Sequence, residues 1–317
     1  MGKPSEVSDS IPKRAIKLAG SVGFYTGNWV WCRLQQIAGK RVPGTCVVLY
    51  YHAVRAEYRE RFASQMNVLQ HHTHPIHAHT NLELQSGVHH VVLTFHDAFV
   101  GVFENALPEL ARRGIPSTVF VPSGFLGRRP GWIKDQSHSD YGEMVIDEDT
   151  LRSVDSKLVT VGSHTVSHPD LTVLDGLAAK EELFRSKMEL EMIVGRPVSL
   201  FAFPFGKFTE ALTELSKDVG YQRVFTTEPN LAFSTPDEYV TGSCPVSPAD
   251  WNLEFKLKLM GGYRWLPPVY RFKRKLVSMI RALFSHSAPE NPVLRTEASA
   301  QNRPSEEQDP TRRRSPN

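Results

Sequence analysis

Val91-Val92-Leu93-Thr94-Phe95-His96-Asp97-Ala98-Phe99 is the stretch from which the fold is read. Four of its first five residues are apolar and three are β-branched, the composition of a buried strand. A histidine and a carboxylate then stand side by side where an apolar strand should end. In parallel α/β sheets and barrels, the C-terminal strand ends carry the chemistry. A second stretch, Leu158-Val159-Thr160-Val161-Gly162-Ser163-His164-Thr165-Val166-Ser167-His168, repeats the arrangement with two histidines four apart. Set on one face of a helical turn, two such imidazoles can grip one metal ion. An aspartate oxygen plus two imidazole nitrogens leaves coordination positions open, as in a catalytic metal site.

Composition bounds the function classes. The chain has 317 residues, 40% apolar and 22% charged, enough to bury a core. A net charge of +3 makes no case for nucleic acid as a partner. Cys32, Cys46 and Cys244 show no CxxC spacing, so they read as structural thiols. Residues 1–10 are polar, and no cleavage site follows a clean apolar run. The expected location is therefore cytoplasmic or peripheral to a membrane.

Outward from the two strands, residues 1–43 form an N-terminal amphipathic helix region rich in aromatics. That helix, over 13–39, either packs on the domain or rests on a membrane. Strands and helices alternate from residue 47 to about 247, which predicts a parallel α/β architecture in a domain over 44–266. The run Gln70–His79 holds five histidines and reads as a solvated loop. Residues 123–146 are loop-rich and predicted to shape a site. Residues 267–286 form a basic amphipathic helix, either a solvated face or a peripheral membrane contact. Residues 287–317 have the composition of a disordered tail.

With these elements placed, the chain resembles the polysaccharide deacetylases of the NodB-homology type over roughly residues 44–262. Tyr51-His52-Ala53-Val54 resembles the family's "YHxV" motif, and Thr94-Phe95-His96-Asp97-Ala98 its "TFDDG" motif. Ser163 to Thr172 follows "SHTxxHPxLT", and Phe201-Ala202-Phe203-Pro204-Phe205-Gly206 resembles "FAYPYG". The resemblance implies a deformed (β/α) barrel with about seven parallel strands. It implies a divalent metal, zinc in the usual case, held by Asp97, His164 and His168. It implies hydrolysis of N-acetyl or O-acetyl groups, with an acetylated amino-sugar polymer or oligosaccharide as partner. His52 takes the place of the acid, and the backbone near Phe205 that of the oxyanion donor.

The chain departs from the pattern at one decisive position. The family's catalytic base is the first Asp of "TFDDG"; here it is His96, and Ala98 replaces the following Gly. Relatives often carry an Arg near the last strand, where this chain has Gly242-Ser243-Cys244-Pro245-Val246. Loss of both charges together would avoid an unpaired buried ion. Three readings stay open: His96 is the base, His96 closes the site as a fourth ligand, or the site binds metal and sugar without turnover. Trp132, Trp251 and Trp265 are candidates for stacking on sugar rings.

Overall fold

A computed structural model describes residues 10–79 and 84–285. The expected tail over 287–317 and the start of the chain through residue 9 lie outside the described residues. Helix α1 (Ile11–Ile37) leads into strand β1 (Thr45–Tyr51), helix α2 (Arg59–His72) and the short strand β2 (His74–Pro75). Strand β3 (His89–Phe95), helix α3 (Leu107–Arg113), strand β4 (Ser117–Val121) and helix α4 (Glu148–Arg152) follow. Next come β5 (Val159–Ser163), α5 (Gly176–Val194), β6 (Leu200–Ala202), α6 (Glu210–Asp218) and β7 (Arg223–Thr226). The last elements are β8 (Val240–Gly242), β9 (Cys244–Pro245), α7 (Asn252–Leu259) and α8 (Leu266–Ser285).

The strands form one parallel sheet in the order β8-β7-β6-β5-β4-β3-β1-β9, with β2 added beside β3. Only Ser243 separates β8 from β9. The segment Val240–Pro245 therefore pairs with β7 at its start and with β1 at its end. That closes the sheet into a ring. Counted as one stave, β8 and β9 bring the ring to the expected seven; counted separately, they make eight, with β2 a ninth strand outside it.

Side-chain parity decides what lies inside the ring. Val91, Leu93 and Phe95 pack outward with helix residues such as Phe62 and Leu110. Val92 packs inward with Cys46, Val48, Phe120, Leu200, Ala202 and Phe225. On the same parity His52 continues the inner row of β1, His96 that of β3 and His164 that of β5. Gly162 sits in this inner row because a Cβ there would stand 2.5 Å from the Phe120 ring.

Local chemistry sets the helix ends. Asp175 accepts from the Ala178 amide at 2.8 Å to start α5, and Gly195, with φ 66°, ends it. A π-turn over Val102–Ala106 leads into α3, which is regular from Leu107. Pro108 has no N–H to donate back to Glu104, so the regular ladder cannot run through this point.

The Gln70–His79 run is only partly a loop. His71 and His72 end α2, and His74–Pro75 pairs with His90–Val91. Two compact units are present, one through Pro268 and one from Val269 onward. Among the described residues no helix is long and apolar enough to cross a membrane.

Candidate metal centre

Register brings the site together at the C-terminal end of the ring. Tyr51 pairs with Phe95 and Val121 with Ser163, so His52, His96 and His164 leave their strands next to one another. Asp97 and Ala98 then turn the chain with φ of 69° and 50°. For non-glycine residues this conformation costs roughly 1–2 kcal/mol each. It is held by its surroundings, including an amide donation from Ile146 to the Ala98 carbonyl at 3.0 Å.

His164 and His168 do not lie on a helical turn, contrary to the expectation from their spacing. Thr165 and His168 have φ of 67° and 56°. Side chains take the part of helical carbonyls here. The amides of Val166 and Ser167 both donate to one Glu182 carboxylate oxygen at 2.9 Å. The His168 amide donates to the Thr165 hydroxyl at 3.0 Å. The two imidazoles still meet, with ring centroids 4.7 Å apart.

Asp97, His164 and His168 are all buried, and their ligand atoms lie within 4.8 Å of one another. Asp97 Oδ1 is 3.7 Å from His164 Nε2 and 3.3 Å from His168 Nε2. A tetrahedral zinc site with arms of about 2.1 Å has ligand–ligand edges of about 3.4 Å, so these donors fit a small divalent ion. His164 Nδ1 lies 2.7 Å from the Ala202 carbonyl and donates to it, which leaves the Nε2 lone pair facing Asp97. Among the described residues this is the one group of three or more His, Cys, Asp or Glu side chains that meets the geometry of a metal cage.

His96 stands in the axis of the ring rather than in the ligand group. Its ring stacks on Tyr50 at 4.7 Å and meets Phe120 edge-on at 5.3 Å and His164 at 5.0 Å. It is 3% exposed, and its Nε2 has no hydrogen-bond partner. His52, with a side chain 23% exposed, lies at the mouth, its Nε2 3.9 Å from Asp97 Oδ2. Trp132 stacks on His168 at 4.4 Å, and the Phe205 ring meets the same imidazole edge-on at 4.8 Å. Phe205 has φ 58°, which sets its peptide at the rim of the site.

The other two tryptophans are elsewhere. Trp251 lies under the Arg14 guanidinium at 4.4 Å, and Trp265 donates to Ser21 at 3.0 Å. Ser243 is buried and donates to the Thr226 carbonyl, taking part in ring closure. Arg223, at the other end of β7, places its cation over Phe233 and so is not a substitute for the family's arginine. Glu182, Ala202 and Tyr50 also shape the site. None carries a sequence signal for that: Glu182 reads as one more charge on a solvated helix, and Ala202 and Tyr50 as strand residues.

Burial pushes the His164 pKa down to about 3. Burial, then neighbouring His164 and His52, holds His96 and His168 well below the ordinary histidine value. In the unfolded chain these rings would take up protons near pH 6.5, while the folded protein keeps them neutral. Their contribution to stability is therefore complete above about pH 6.5 and is lost as pH falls toward the folded values. The urea midpoint is expected to drop between pH 7 and pH 5, with a slope that includes uptake of about three protons by these histidines. A midpoint that does not change over that range would contradict it.

The polysaccharide deacetylase family model matches residues 83–224, a span that includes Asp97, His164, His168 and Phe205. YxkH of Bacillus subtilis (strain 168), whose name places it with the polysaccharide deacetylases, is 24% identical over 158 residues, 50% of this chain and 52% of that protein. The peptidoglycan-N-acetylmuramic acid deacetylase PdaA of the same organism is 28% identical over 137 residues, 43% of this chain and 45% of its own. The chain thus spans about half the length of these curated relatives. The solved structure of IcaB from Ammonifex degensii shares the fold, with a TM-score of 0.54 at 24% identity, over 68% of this chain and 97% of that one. The Streptococcus pyogenes deacetylase PplD shares it with a TM-score of 0.56 at 18% identity, over 69% and 99%. Over residues 83–224 the chain thus matches the polysaccharide deacetylase family model, it is similar to relatives that carry that name, and its barrel topology is the one those solved structures share.

Proposed function

We propose that this chain is a metal-dependent deacetylase that hydrolyses N-acetyl or O-acetyl groups of a polysaccharide or glycan precursor. The observation that carries the reading is the buried convergence of Asp97, His164 and His168 at the spacing of a divalent-ion cage. Zinc is the ion that best suits two imidazoles and one carboxylate. When bound, the ion supplies Lewis-acid activation of water and of the acyl carbonyl.

The remaining work falls to the chain's own groups. His52, at the mouth, is placed to hand a proton to the leaving amine or hydroxyl. The amide of Phe205, set by a left-handed turn at the rim, is the candidate donor to the oxyanion. Trp132 and Phe205 wall His168 and exclude water from that side. His96 Nε2, buried and without a partner, is the candidate proton acceptor. In the overall reaction water adds to the acyl carbon, the C–N or C–O bond breaks, acetate leaves and the departing atom gains a proton.

A second reading rests on the surroundings of His96. An imidazole enclosed by Tyr50, Phe120 and His164 takes up a proton poorly, which suits a site that keeps metal and sugar binding without efficient turnover. Acetate release from acetylated chito-oligosaccharides with added zinc tests the two. The first reading expects release that chelation abolishes and zinc restores. Retention of the oligosaccharide with no acetate released would favour the second.

A further inference from the structure

Helix α1 exposes what an ordinary surface helix buries. Such a helix turns its apolar stripe to the core and its charges to water. Here the only fully buried residue is the small Ser21, while Ile16, Trp29, Trp31, Leu34 and Ile37 are 69, 50, 61, 55 and 84% exposed. On that outward side a Cβ added at Gly23 or Gly27 would meet nothing within 4 Å. An apolar face of this extent on a monomer marks an interaction surface.

Charge identifies the occupant. No acidic residue occurs between Asp9 and Glu57, whereas Lys13, Arg14, Lys17, Arg33, Lys40 and Arg41 all fall there. Arg14 is engaged with Glu254, but the Arg33 guanidinium lies 5.5 Å from the Trp29 ring, a cation beside an interfacial aromatic. Helix α8, considered by itself, has the same character. No acid occurs between Glu254 and Glu290, and exposed Tyr270, Phe272 and Met279 alternate with Arg271, Lys273 and Lys275. Two copies of an all-basic face would repel each other across a symmetric contact. Tryptophans, aliphatic side chains and cations together suit the interface of a bilayer with anionic headgroups.

We infer that α1 docks the protein on an anionic phospholipid surface, lying in the headgroup plane rather than crossing it. Near the start of α1 the Arg14 guanidinium donates to the Ala249 carbonyl at 3.5 Å, its middle packs at Ser21 on Trp265, and seven residues separate its end at Ile37 from β1.

The full chain should be sedimented with vesicles of phosphatidylcholine alone and with vesicles containing about one-third phosphatidylglycerol. Binding is expected to the anionic vesicles, weakened by salt and at least tenfold stronger than to the neutral ones. The variant carrying Trp29→Ala, Trp31→Ala and Leu34→Ala changes only exposed positions to a better helix former. It should keep its circular dichroism and lose at least tenfold in vesicle binding. Failure of the native chain to bind anionic vesicles would overturn the inference, and so would unchanged binding by the folded variant. A native dimer that the variant dissolves, without vesicle binding, would assign the face to a second copy instead. Vesicle binding needs no acetylated sugar, so this result stands apart from the deacetylase assay.

Discussion

His96→Asp is expected to raise acetate release by roughly 10²-fold or more, the range over which a well-placed general base acts. The native imidazole is a weak proton acceptor for a stated reason. Its conjugate acid would be a buried cation among three other histidines, with aromatic rings on two sides. A carboxylate reverses the sign of that environment, because its charged form is favoured beside a bound divalent cation. The substitution has a cost. It leaves space between Tyr50 and Phe120 and buries a carboxylate with no arginine beside it, so the metal-free variant should be less stable by about 1–3 kcal/mol. Initial rates and urea midpoints, with and without zinc, measure both effects. Activity equal to or below that of the native chain, with zinc still bound, would show that proton acceptance at this position does not limit the reaction.

His164→Ala should reduce activity to background and weaken zinc binding by more than 10²-fold, a larger effect than loss of a supporting contact. The imidazole would supply one of the three ligand atoms and is held in place by its donation to Ala202, so its removal would leave only Asp97 and His168 of the candidate cage. The fold should persist, since the ring sits above the inner apolar layer rather than in it. Zinc at about 100 times its native Kd should stabilise the native chain by about 2.7 kcal/mol and the variant by less than about 0.4 kcal/mol. Equal stabilisation of both proteins would place the metal elsewhere.

Much of this was legible from strand composition and residue order. Apolar runs ending in His52, His96-Asp97 and His164 identified the strands, alternation with helices identified a parallel α/β architecture, and the family resemblance made it a barrel. The same residues carried the family resemblance. The spacing of His164 and His168 was legible as a ligand pair but misleading as to backbone, because Thr165 and Glu182 supply hydrogen bonds that favour a left-handed turn over a helical one. Local spacing reports distance along the chain, whereas the acceptor on α5 arrives only when the ring has closed.

By itself the sequence determined the side chains that meet at the candidate site, the strands that present them, and the absence of acids around α1. Tertiary structure decided the rest. Ring closure through Ser243 joined β8 and β9 into one stave, and parity then set His96 inside the ring between Tyr50 and Phe120. Trp132 went to the candidate metal site, stacked on His168, while Trp265 went to α1. These outcomes depend on which strand lies beside which and on which face of each strand points inward, and a linear pattern contains neither until the sheet has closed.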